Sequence, residues 1–109
     1  MAVTEKRRAR RVRAERAASV TLRKANVAVG VKARTRDISS NGAFFYLDRQ
    51  LAPGSSIEMV VMLPDELAQG SRSWVCCRGK VVRVEQPSTN STLFGIAAEF
   101  DHCSVLPEL

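Results

Sequence analysis

Two short stretches of this 109-residue chain hold residues whose types and spacing suit recognition chemistry. The first is Arg7-Arg8-Ala9-Arg10-Arg11, in which Arg7 and Arg11 stand four apart. The second is Asp37-Ile38-Ser39-Ser40-Asn41-Gly42, an Asp-x-Ser-x-x-Gly run. A guanidinium is a planar fork of donors that matches phosphate oxygens and flat base edges. An aspartate and a serine two apart at a strand end point the same way, and Asn-Gly supplies a turn. The plain readings stand beside these: solvated charges for the arginines, turn capping for Asp37, and turn residues for Ser40 and Asn41. Nothing in the sequence pairs a nucleophile with a base, clusters metal ligands or forms a phosphate loop, so an enzyme ranks last and no metal or cofactor is expected. His102 beside Cys103 is too little for zinc.

Charge narrows the partner. Residues 1–36 carry twelve Lys/Arg against two Glu, and residues 37–109 carry five against nine Asp/Glu, so a +10 segment precedes a −4 body. A basic segment of this kind expects an anion: nucleic acid, anionic lipid or a phosphate-bearing ligand. Residues 1–16 lack apolar periodicity and read as a flexible basic arm, with the folded domain over 17–109. The basic start is not followed by an apolar stretch, and no apolar run approaches a membrane span, so a soluble cytoplasmic protein is expected. The three cysteines, Cys76, Cys77 and Cys103, are odd in number and suggest free thiols rather than a disulfide framework.

The elements that must position these residues read as β. Polar and apolar residues alternate over 19–23 and 27–38. In the second run Lys32, Arg34 and Arg36 oppose Val31, Ala33 and Thr35, so Arg34 and Arg36 read as a solvated face, with guidance of a ligand the lesser role. Asn41-Gly42 predicts a hairpin into a strand over 43–47. Further strands are expected over 57–63, 74–85 and 93–100, with a polar loop over 64–72. Phe44, Phe45 and Phe100 read as core and Trp74 as core or rim. The tail 101–109 is compatible with a short helix that Pro107 limits. Six strands without a long helix make an all-β fold, a six-stranded antiparallel β-barrel.

The ordered pair of motifs resembles the PilZ family, whose ligand motif is RxxxR followed by [D/N]xSxxG. Gly79-Lys80-Val81-Val82-Arg83-Val84 and Phe94-Gly95-Ile96-Ala97-Ala98-Glu99-Phe100 resemble its closing strands, so the likeness runs from Lys6 to about Phe100. The resemblance implies a receptor or adaptor for the bacterial second messenger cyclic di-GMP. It implies binding by Arg7, Arg11, Asp37, Ser39 and Gly42, with Lys6, Arg8 and Arg10 as secondary contacts. Arginine suits guanine O6/N7 and phosphate, and aspartate accepts from guanine N1–H and N2–H₂. The arm would then order over the ligand and signal to an effector, either a separate protein or a second copy in a homodimer. Lys6, the residue before RxxxR, inclines the expectation to two ligands per chain.

Two alternatives belong to other classes. A nucleic-acid-binding barrel fits the basic arm, but the body is acidic and shows no row of exposed aromatics. A PilZ-like scaffold acting through protein contacts alone would lack the arginines or the Asp-Ser pair, and this chain keeps both.

Overall fold

The computed structural model describes residues 12–13, 15–24, 27–39, 41–62 and 74–106. Seven strands follow in order: β1 (Val12–Arg13), β2 (Ala17–Lys24), β3 (Val27–Ser39), β4 (Gly42–Leu47), β5 (Ser56–Met62), β6 (Trp74–Glu85) and β7 (Phe94–Val105). All pairings are antiparallel, in the order β3-β2-β5-β6-β7-β4, and β4 returns to β3. This closes a six-stranded barrel, which removes the open edges of a flat sheet. The two-residue β1 adds to β3 beyond the end of β2.

Alternation along the strands fills the barrel. Val20, Val31, Ala33, Ile38, Phe45, Leu47, Met59, Val61, Val81 and Ile96 are buried in one cluster. Lys32 and Arg34, between buried residues of β3, are exposed. Such a strand has one wet and one dry face, which fixes its register, since a one-residue slip would invert both.

Two expectations change. The tail 101–105 is not helical: it extends β7, and Val75, Cys76, Cys77 and Arg78 stand opposite Val105, Ser104, Cys103 and His102. The reason is hydrogen bonding. The first half of β6 has β5 on one edge, and the end of β7 satisfies the other. Second, Cys77 and Cys103 face each other in that added ladder with Cα atoms 4.1 Å apart and form a disulfide, leaving Cys76 as the free thiol. The odd cysteine count concealed a cross-strand pair made by register. Trp74, read as core or rim, is 49 % exposed at the start of β6, a rim position. The loop read over 64–72 lies outside the described residues. Among the described residues no helix is long and apolar enough to cross a membrane.

Candidate functional site

The site begins at an irregularity. β3 pairs β4 as Thr35↔Phe45 and then Asp37↔Phe44, so Arg36 is an extra residue on the β3 side. Such a bulge resets the alternation and turns two successive side chains toward one face. Thr35 and Ile38 are buried on either side of it, with Ile38 in the core. Arg36 and Asp37 instead lie together: Arg36 Nε donates to Asp37 Oδ2 at 2.8 Å. Asp37 is only 7 % exposed, whereas the Arg36 side chain is 38 % exposed.

Phe44 is the floor. Opposite Asp37 and out of phase with the core residue Phe45, it is 1 % exposed yet stands apart from the core cluster. The Arg36 Cζ lies 3.9 Å from the centre of its ring, a cation–π contact. Tyr46 meets the ring edge-on at 5.5 Å between centroids. Phe44 is buried as expected of a core residue, but outside the barrel's main cluster, on the opposite side of β4 from Phe45. Gly95 opposite Tyr46 makes room for it, since a Cβ there would meet the Phe44 ring. The Asp37 hydrogen bond is the chief cause holding the Arg36 guanidinium above its ordinary pKa; desolvation opposes it, and the Asp37 charge and then Tyr46 add to it.

The turn is built by Ser39. Its hydroxyl accepts from the N–H of Asn41 and of Gly42, each at 3.1 Å, and donates to the Gly42 carbonyl at 3.3 Å. One donor and two lone pairs are thereby used. Gly42 opens β4 opposite Ser39 and opposite Glu99 of β7. Its need for glycine is steric rather than a positive φ, which among the described glycines belongs to Gly54. A Cβ at Gly42 would collide with the Ala98 carbonyl oxygen. The Asn41 carbonyl accepts from Phe100 N–H at 2.8 Å, so the turn is tied to β7 as well.

The chain entering from the basic segment reaches this place. Val12 stands opposite Ile38 and Arg13 opposite Asp37. Thr35 N–H donates to the Arg16 carbonyl at 2.8 Å, and Arg16 N–H donates to Thr35 Oγ1 at 2.9 Å. Asp37, Ser39 and Gly42 are therefore together on one hairpin with β1 alongside. Lys6, Arg7, Arg8, Arg10 and Arg11 lie outside the described residues. Sequence reasoning gave Arg36 to a solvated strand face, whereas the bulge pairs it with Asp37. An unbroken period of two carries no mark of a bulge, so Arg36 had no signal, whereas adjacency on one strand already places Phe44 and Phe45 on opposite faces.

A PilZ domain model matches residues 5–105. The chain belongs to the PilZ domain family. Among solved structures, this PilZ chain is similar to the Bacillus subtilis inhibitor of motility (MotI/DgrA), with a TM-score of 0.68 at 15 % identity over 88 % of this chain and 43 % of that one. It also resembles the PilZ domain of CeSA from a cellulose-synthesizing bacterium, with a TM-score of 0.50 at 18 % identity over 83 % of this chain and 79 % of that one. These likenesses concern the barrel, and the chain spans less than half of the motility inhibitor's length. No curated protein matches by sequence.

Proposed function

We propose that this PilZ domain is a cytoplasmic receptor or adaptor for cyclic di-GMP, a binding protein rather than an enzyme. The reading is carried by one observation: Asp37 of the Asp-x-Ser-x-x-Gly turn is buried beside an arginine and stands opposite Arg13, where the basic segment meets the barrel. Arg11 is one residue and Arg7 five residues before Val12, so both are within ~17 Å of chain from the site at ~3.4 Å per residue. Their guanidiniums bind phosphate and guanine from one side, while Asp37 accepts guanine N–H from the other. Ser39 and Gly42 hold the turn against β7 and so set the height of Asp37. The arm closes over the ligand, with Lys6, Arg8 and Arg10 adding positive field, and a partner protein reads the closed form.

Titration calorimetry with cyclic di-GMP, cyclic di-AMP and GTP tests the proposal. Cyclic di-GMP binds best, and Arg7→Ala with Arg11→Ala abolishes the heat. Binding that survives both substitutions would remove the arm from the site, and no binding of cyclic di-GMP would end the proposal.

A further inference from the structure

Arg36 lies in neither half of the family motif, yet it is the described cation most firmly placed at the site. Regular alternation would put residues 36 and 37 on opposite faces. The bulge joins them, and two contacts then restrain the guanidinium: Nε on Asp37 Oδ2 and the Phe44 ring 3.9 Å from Cζ. A fork held in this way loses little further freedom when a ligand arrives. Arg36 is also the exposed half of the pair, at 38 % against 10 % for the Asp37 side chain, so an incoming base meets it first.

We propose that Arg36 and Asp37 together read one guanine of the ligand, Arg36 donating to O6 while Asp37 accepts from N1–H and N2–H₂. This rests on the reading of the site as a cyclic di-GMP site. The geometry supplies the donor and the adjoining acceptor, and the second carboxylate oxygen, Oδ1, is buried beside them. Arg36 donates through Nε to one carboxylate oxygen, so its remaining in-plane N–H groups lie next to that oxygen. Donor, acceptor, acceptor is the complement of a guanine edge, which offers one acceptor and two donors in sequence. The arginine–aspartate pair thus presents the pattern that a cytosine would. Adenine carries a donor where guanine has O6 and an acceptor where guanine has N1–H, so it meets like groups at both. Leaving buried polar groups so mismatched is what gives strong discrimination.

The test is calorimetry on the whole chain with cyclic di-GMP, cyclic di-IMP (which keeps O6 and N1–H but lacks the 2-amino group) and cyclic di-AMP. Arg36→Met weakens cyclic di-GMP and cyclic di-IMP by the same factor, roughly ten-fold or more for loss of a charged hydrogen bond. It leaves cyclic di-AMP unchanged. If Arg36 served only to hold Asp37, the loss would shrink with cyclic di-IMP, and that result overturns the inference. Unchanged cyclic di-GMP affinity in Arg36→Met overturns it too. Failure of the underlying reading is separately visible, because the wild-type chain would then show no isotherm with cyclic di-GMP. Should Arg36→Met not fold, the wild-type Arg36 Nη–H resonances decide: they shift with the two O6-bearing ligands and not with cyclic di-AMP, and resonances that never move rule the contact out.

Discussion

Arg36–Asp37 and Arg78–Glu58 are both arginine–carboxylate pairs on the outer surface of this barrel. Their surroundings differ. Arg36 and Asp37 are neighbours in sequence, joined by a bulge at 2.8 Å over a buried ring. Arg78 and Glu58 face each other across the regular β5–β6 ladder at 3.3 Å, with Arg78 66 % exposed. They border an open groove of about 360 Å³ with Thr21, Ser56, Lys80 and Asp101. The same chemical pair is held over a buried ring in one place and is a solvated surface contact in the other. Register and the residue underneath make the difference, because a carboxylate shielded from water interacts more strongly with what touches it.

Four measurements break or sharpen that contrast. The largest effect is expected at the floor. Phe44→Ala costs about 3–5 kcal/mol in chemical denaturation, since it empties a buried site of its ring. A loss under ~1 kcal/mol would show that the outer face is not packed around Phe44. Next, Asp37→Ala removes a buried acceptor and weakens cyclic di-GMP by about 2–3 kcal/mol in calorimetry. Glu58→Ala leaves that affinity unchanged, and equal losses at both positions would erase the distinction between the pairs.

The third measurement concerns the turn. Gly42→Ala forces a methyl toward the Ala98 carbonyl and costs about 1–3 kcal/mol. Gly30→Ala meets no atom within 4 Å and changes stability by less than about 1 kcal/mol, in the stabilising direction if at all. Similar thermal midpoints for the two variants would show that β4 does not approach β7 closely at Gly42. The smallest effect is at the groove. Glu58→Gln alters stability by less than about 1 kcal/mol, as expected for a solvated pair. It acts on Cys76 instead. Burial is the main cause raising the Cys76 thiol pKa, Glu58 adds to it, and Arg78 opposes it. Removing the Glu58 charge lowers that pKa, so alkylation of Cys76 at pH 8 becomes faster. A slower reaction would reverse the assigned sign.

Much of the barrel was legible because alternation is a local property. The runs read at 19–23, 27–38, 43–47, 57–63, 74–85 and 93–100 correspond to β2 through β7. The hairpin after Ser39 was readable from turn chemistry alone. The Asp-x-Ser-x-x-Gly motif was legible, and its Asp37, Ser39 and Gly42 share one hairpin end. What could not be read there was how each residue acts. Ser39 holds the turn backbone by hydrogen bonds within the turn, and Gly42 lies against the Ala98 carbonyl, 56 residues further along the sequence.

The sequence by itself determined the strands, the charge asymmetry, the all-β class and the membership implied by two ordered motifs. These follow from side-chain type and from a period of two, which any short window contains. The tertiary structure alone decided three matters. It extended β7 to Val105, paired Cys77 with Cys103, and joined Arg36 to Asp37. Each depends on which strand lies beside which and in what register, a relation between distant segments that no local pattern encodes.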